Sequence, residues 1–558
     1  MSLSTTTSAH THLDKPNTSP SPVAALAKSA RTHPDALCLR FGKTDVSYGD
    51  FAAKAAALAQ QLQPNLHTRR VGILGSRSLT AYVGIAAACW AGATYVPLNL
   101  KWPPERLISL MGELDLDALV VDANGAKRMT ADVIAAAPDV IYADTTIEGA
   151  SVKPVPPAFI GDLPAPQARS ADDLAYIVFT SGSTGMPKGV MVTCTTLGLY
   201  LEQTRKWAQF TPADRIAEAH DVTFDLSVHN MFLAWEAGSS LHVMSAIEMM
   251  GPQAFIRRNA ITVWMSVPTI VNTMRTAGSL KPGLFETLRL SVFCGEPLAM
   301  PTVNAWADAA PNSVIENIYG PTECTVVCTR QRLTNPPIIT EKRGILAIGE
   351  AYENFEITLR DAYGKQVASG ETGEIVLKSD QLAAGYFNAP DQTAKAFRII
   401  DGERLYFTGD LGMQDENGVF HHMGRSDNQV KMKGNRIELE EVEMHLRKSS
   451  QTELATVVAW PVIDGSAQGL VGFTTNEAMT EVAIRTDMMK TLPEYMVPTT
   501  IKIRASLPRN INDKVDRKAL LAELDKQAAA SKLDAPNTTP DMQTPIHGTA
   551  KQKMAGAR

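Results

Sequence analysis

The stretch YIVFTSGSTGMPKGVMVT, residues 176–193, constrains this chain more than any other. Its β-branched and aromatic opening, residues 176–179, predicts a buried strand, and residues 189–193 predict a second short one. Between them, Gly182 and Gly185, with Gly189 at the far edge, let backbone amides approach an anion with no Cβ in the way. Thr180, Ser181, Ser183 and Thr184 add hydroxyl donors, and Lys188 adds a point charge. A P-loop is excluded: it needs Gly-Lys-Ser/Thr opening a helix, whereas GVMVT after Lys188 favours a strand, so no helix N-terminus is offered to the anion. A Ser/Gly-rich surface turn is the plain alternative. Three glycines, four hydroxyls and a lysine between two apolar strands favour a phosphate cradle over it.

TSGSTGMPKG resembles the signature loop of the adenylate-forming superfamily, which includes acyl-CoA synthetases, luciferases and the amino-acid-activating adenylation domains of non-ribosomal peptide synthesis. Further motifs repeat the resemblance in the family's order between about residues 45 and 520. The fold it implies is α/β: a large N-terminal domain of α/β sandwich subdomains plus a β-barrel-like subdomain, followed by a small mobile α+β C-terminal domain.

Composition agrees with such an enzyme. At 558 residues two or more domains are expected, and 44% hydrophobic with 20% charged residues fits a globular protein. A net charge of −6 gives no reason to propose nucleic acid or an anionic membrane as a partner. The six cysteines are scattered without a CxxC pair, as reduced thiols of a cytoplasmic protein would be, and Cys324 and Cys328 have no neighbouring His or Cys to complete a metal set. Residues 1–21 are polar without an apolar core segment and are expected to be a disordered tail. A large domain over 22–426, a small one over 427–526 and a second disordered tail over 527–558 complete the expected order.

Along the chain, VAALAKSART and DFAAKAAALAQQL predict helices, and VGILG a buried strand. Alternating strand and helix signals then continue, as in a doubly wound domain. FDLSVHNMF, residues 224–232, matches the amino-acid-activating branch. Asp225 there would neutralise an α-ammonium group, a charge that a fatty acid lacks. An Asp at a helix start is also a common N-cap, and that reading stays open. ITVWMSVPTIV and LRLSVFCGEPL read as strand-like wall segments.

The resemblance assigns further roles. Phe224 is the gate aromatic beside the reacting carboxylate. Tyr319 and Gly320 flank the adenine and the acyl-adenylate, Thr322 contacts the α-phosphate and Glu323 holds Mg²⁺, for which one carboxylate suffices beside phosphate oxygens. Asp410 accepts the ribose hydroxyls. Arg425 is a ribose or phosphate contact, and Asp427 is the hinge. His421 and His422 are neighbours on a strand and face opposite sides, which argues against a shared metal. Lys514 matches the catalytic lysine, although Asp513 stands where glycine is usual.

Joining a carboxylate to ATP brings two anions together, so preorganised positive charge from Lys514, Mg²⁺ and the loop is what the chemistry requires. By the family's pattern the small domain then swings about Asp427 and admits a phosphopantetheine thiol. No GGxS-type phosphopantetheine attachment site occurs in these residues, so a carrier protein acting as a separate partner is expected; a monomer is compatible with these domains.

The closest resemblance within the family is to free-standing D-alanine carrier-protein ligases. Pocket positions carried over are Asp225, Leu226, His229, Met265, Val292, Cys294, Ile318, Val326 and Val327. Met265 and Ile318 replace smaller hydroxyl residues of those ligases, leaving less room for a side chain. One extra methyl forced into a filled pocket costs about 1–3 kcal/mol, so glycine is the expected substrate and alanine of either hand the alternative. Enzymes of this kind feed teichoic acid alanylation, lipid A glycylation or peptide natural products. An acyl-CoA ligase is disfavoured by Asp225. A silent adenylate-binding protein is disfavoured by the joint presence of Lys188, Glu323, Asp410, Arg425 and Lys514.

Overall fold

The structure is a computed structural model that describes residues 18–19, 21–182, 186–509 and 515–533. Ser183, Thr184, Gly185, Asp513 and Lys514, and both expected tails apart from the positions just given, lie outside the described residues. Contacts divide the chain into a unit of residues 1–506 and a unit of residues 507–558.

Two sheets dominate the first unit. An eight-stranded sheet runs in the order Gly385–Tyr386, Lys188–Thr193, Leu174–Thr180, Thr94–Pro97, Arg70–Leu74, Ala118–Val121, Ile141–Ala143 and Lys153–Pro154. A nine-stranded sheet carries Thr329–Arg332, Val314–Tyr319, Leu290–Phe293, Val263–Ser266, Arg215–Glu218 and Ser240–Val243 in sequence across its middle. The central strands of both are parallel, which requires helical crossovers and buries both faces. One crossover, Leu79–Trp90, is apolar all round and buried over nearly its whole length, as an interior helix must be. Its Gly84 lets it seat closely, since a Cβ there would come within 2.9 Å of Val120 Cγ1. The Ala-rich helix Tyr48–Leu62 is capped by Ser47, whose side chain accepts the Asp50 amide.

The barrel-like subdomain is an antiparallel five-stranded sheet organised on the long strand Glu403–Gln414, which pairs with Thr372–Lys378, Phe397–Ile400 and Phe420–Arg425. Residues 430–503 have a core of their own, including Ile437, Val442, Leu446, Val457 and Ile484, around the helix Leu439–Ser450 and a three-stranded sheet. The wall segment 261–271 is a strand only over Val263–Ser266. Pro268 then starts the helix Pro268–Thr276, as its fixed φ and missing N–H favour at a first turn.

In the second unit, the Asp516 amide bonds to the Pro508 carbonyl at 2.8 Å, and the helix Arg517–Leu533 follows. That helix corrects the tail boundary expected at 527. Its sequence, RKALLAELDKQAAASKL, is rich in strong helix formers, and propensity carries it onward.

Candidate active site

The hairpin expected around the signature loop is present: Leu174–Thr180 and Lys188–Thr193 are antiparallel, with Thr180 opposite Lys188. The described flanks of the loop, Thr180, Ser181 and Pro187, border a cleft of about 1110 Å³, open to solvent. Thr180, Ser181, Phe224, Asp225, Leu226, Cys294, Gly320, Thr322, Val326, Asp410 and Arg425 of the sequence-predicted residues line this cleft. Gly182 is needed for steric reasons, because a Cβ there would lie 2.1 Å from the Met186 carbonyl oxygen. Among the described residues the buried Thr180 hydroxyl has no hydrogen-bond partner. The Lys188 ammonium lies 5.4 Å from the centre of the Tyr386 ring, and burial holds its pKa below the ordinary lysine value.

Two loop donors are already engaged. The Ser181 hydroxyl donates to the Arg436 carbonyl at 2.6 Å and accepts the Glu438 amide at 3.2 Å. The Gly182 amide donates to Glu441 Oε2 at 3.2 Å, while the other oxygen of that buried carboxylate pairs with Arg106. Residues 436–441 thus satisfy groups that the sequence reading assigns to phosphate.

Glu323, in the short helical turn Thr322–Cys324, is fully buried. Arg436 Nη1 spans its two oxygens at 3.1 and 2.9 Å, and the Tyr386 hydroxyl donates at 2.7 Å. Burial alone would raise its pKa; the Arg436 charge and the Tyr386 hydrogen bond prevail and hold it below the ordinary value, so it is an anion.

Asp225 occupies the N-cap position of the helix Leu226–Ala237, yet its side chain caps nothing. The carboxylate faces the cleft instead. Burial pushes its pKa up to about 6 against the opposing effect of the Thr322 hydroxyl, with the Glu323 charge raising it further. A cation placed here would relieve that cost.

Asp410 is more fully engaged than the sequence implied. Its Oδ2 accepts the Tyr319 hydroxyl at 2.7 Å, and its Oδ1 accepts Arg425 Nη1 at 2.7 Å with His422 Nε2 at 3.3 Å. Despite burial, the Arg425 charge and His422 keep its pKa well below the usual carboxylate range. A carboxylate has about four lone-pair sites, so capacity for a hydroxyl remains. Tyr319, Ile318, Gly320 and His422 line a second pocket of about 450 Å³ that shares Gly295, Gly320 and Lys431 with the cleft.

Four expected pocket residues do not reach the cleft. Met265 and Val292 are register partners on adjacent parallel strands, and with Val327 they are fully buried in the core cluster. His229 is fully buried behind them, its Nδ1 2.5 Å from the Tyr200 hydroxyl and its ring flanked by Trp207 and Phe210. Burial lowers its pKa to about 3, so it is a neutral core histidine. Ile318 lines only the second pocket.

Sequence reading missed Lys431, Arg436 and Glu441. Lys431 stands over the Tyr319 ring at 5.9 Å and lines both pockets. The charged run KMKGNRIELEE was the available signal, but nothing in it names partners that lie more than a hundred residues away.

The fold and the comparisons place this chain among the adenylate-forming enzymes, in the amino-acid adenylation branch. The chain belongs to the AMP-binding enzyme family, which it matches over residues 26–387. It is 28% identical to a D-alanine--D-alanyl carrier protein ligase of Bacillus cytotoxicus over 89% of this chain and 98% of that protein. Among solved structures it is similar to the Vibrio cholerae adenylation domain AlmE in complex with glycyl-adenosine-5'-phosphate. That match has a TM-score of 0.83 and 29% identity, and it covers 92% of this chain and 99% of that one. IdnL7 matches with a TM-score of 0.68 at 29% identity, over 91% of this chain and 99% of that one. Among the described residues no helix is long and apolar enough to cross a membrane.

Proposed function

We propose that this protein couples ATP to the carboxylate of glycine and passes the glycyl group to the phosphopantetheine thiol of a separate carrier protein. The observation that carries the reading is Asp225, an acid facing the cleft whose pKa is pushed up to about 6 and whose side chain serves no helix cap. An α-ammonium group is the partner such a carboxylate lacks. Support for a small side chain comes from Leu226, Cys294 and Val326, which line the cleft, with Met265, Val292 and Val327 fully buried and not part of its lining. The relative solved with glycyl-adenosine-5'-phosphate lends support to glycine, and the D-alanine ligases support alanine as the second reading.

Magnesium fits the residues present. Glu323 is an anionic hard oxygen ligand suited to it once Arg436, which spans its oxygens here, is displaced, and the Thr180 hydroxyl has no partner among the described residues. Bound there, the ion would neutralise charge on the triphosphate. The chain's own residues do the rest: Lys188 and the Gly/Ser/Thr loop hold the departing pyrophosphate once Ser181 and Gly182 leave Arg436, Glu438 and Glu441, Phe224 borders the reacting carboxylate, Arg425 and Asp410 hold the ribose side, and Lys514 brings positive charge to the attacked phosphorus. Asp427 is the hinge about which residues 427–526 move as a small domain, admitting the carrier's thiol. Cytoplasmic ATP, a monomeric enzyme and envelope decoration such as lipid A glycylation complete the proposal.

The test is amino-acid-dependent exchange of pyrophosphate into ATP, measured over all amino acids and short fatty acids. Glycine is expected to give the highest kcat/KM, followed by alanine. Preference for leucine, phenylalanine or a fatty acid would refute the small-pocket reading.

A further inference from the structure

The turn that carries Thr322 and Glu323 ends in two consecutive residues in the left-handed region, Thr325 at φ 60° and Val326 at φ 74°. A β-branched residue there is an outlier, and such strain persists only where the surroundings over-determine it. One buried side chain supplies much of that constraint. Gln381, fully buried, directs its amide nitrogen at three carbonyls of the turn: Cys324 at 3.0 Å, Thr325 at 3.3 Å and Val327 at 3.0 Å. Its own backbone carbonyl accepts the Thr325 hydroxyl at 2.8 Å.

The amide's orientation is fixed from behind, because Gln381 Oε1 accepts Asn354 Nδ2 at 2.9 Å. A flipped amide would set an oxygen against three carbonyl oxygens. The same segment braces the start of the turn, where the Ala383 amide donates to the Glu323 carbonyl at 2.9 Å. From the other side the turn rests on Gly320, where a Cβ would lie 2.6 Å from the Val326 carbonyl oxygen. Gln381 does not line the cleft, whereas Val326 does, together with Asp225, Leu226 and Cys294.

We propose that Gln381 is a positioning residue for amino-acid selection: its amide pins residues 324–327 in a strained turn that makes the Val326 side chain a fixed wall of the substrate pocket. The proposal rests on the reading of that pocket as one for a small amino acid. Without the amide, the buried Cys324 and Val327 carbonyls lose their donor, the Thr325 carbonyl keeps only the Val327 amide, and the turn relaxes toward ordinary backbone angles. Val326 then yields, and a larger side chain is admitted. Selectivity is therefore set from outside the pocket, by a residue that never meets the substrate.

The experiment compares the wild-type protein with Gln381→Leu, which keeps volume but cannot donate, and with Asn354→Ala, a milder change that leaves Gln381 in place but frees its amide to rotate. Pyrophosphate exchange is measured with glycine, alanine and serine, alongside KM for ATP. The expected result is a fall of about tenfold in the glycine-to-alanine ratio of kcat/KM for Gln381→Leu, a smaller fall for Asn354→Ala, and a change of less than twofold in KM for ATP. Should Gln381→Leu not fold, the Asn354→Ala ratio decides. A wild type that selects glycine while the folded variants keep its ratio overturns the proposal alone; a wild type that selects no small amino acid overturns the pocket reading and this proposal with it.

Discussion

Arg425 grips Asp427 with two parallel donors, Nε to Oδ1 at 2.6 Å and Nη2 to Oδ2 at 2.7 Å, while its remaining nitrogen reaches Asp410. One guanidinium therefore joins the proposed hinge to the carboxylate proposed for the ribose. Planar two-point pairing of this kind fixes direction as well as distance. Replacing Asp427 with Ala releases the hinge side and leaves the Asp410 contact intact. Transfer to the carrier thiol is expected to slow about tenfold while pyrophosphate exchange changes less than twofold, measured as separate half-reactions.

Asp225 makes a prediction of opposite sign for stability and activity. Its pKa near 6 lies above the ordinary aspartate value, so the ionised form costs the free protein stability at neutral pH. That cost fades as pH falls through about 6 toward 4. Asp225→Asn should raise the thermal midpoint at pH 7.5, by an amount equivalent to about 1–3 kcal/mol, while reducing amino-acid activation at least a hundredfold. In the wild type the amino-acid KM should climb as pH drops below about 6, because the protonated acid no longer pairs with an ammonium group. Calorimetry and exchange kinetics across pH check both halves.

Glu323 and Arg436 form a pair in which the carboxylate is fully buried. Removing one partner strands a charge, which costs about 3–5 kcal/mol, whereas neutralising both is far cheaper. Arg436→Gln alone should be strongly destabilising in urea unfolding, and Glu323→Gln combined with Arg436→Gln should recover most of the loss. A simple sum of the two single effects would contradict the pairing.

Much of this was legible in the chain itself. The 176–193 hairpin follows from local signals, two apolar runs and a glycine-rich loop, and the parallel sheets follow from the alternation of strand and helix patterns. Asp225 lines the cleft, as its place in FDLSVHNMF implied. The depth of the pocket was not. Met265, Val292, His229 and Val327 carry the right positions along the chain, but packing turns them into the core, and only the three-dimensional register decides which side chains stand in front. Arg436 and Glu441 escaped for a related reason, since their partners Glu323, Gly182 and Arg106 are distant in sequence. The helix to Leu533 shows propensity prevailing over a polar composition that suggested a tail.

The central claim, that Asp225 receives an α-ammonium group, is tested most directly by binding two non-hydrolysable adenylate analogues that differ only in that group, glycyl sulfamoyl adenosine and acetyl sulfamoyl adenosine. Wild-type protein is expected to bind the glycyl analogue at least a hundredfold more tightly, and Asp225→Asn to lose most of that difference. Equal affinity of the wild type for the two would contradict the account.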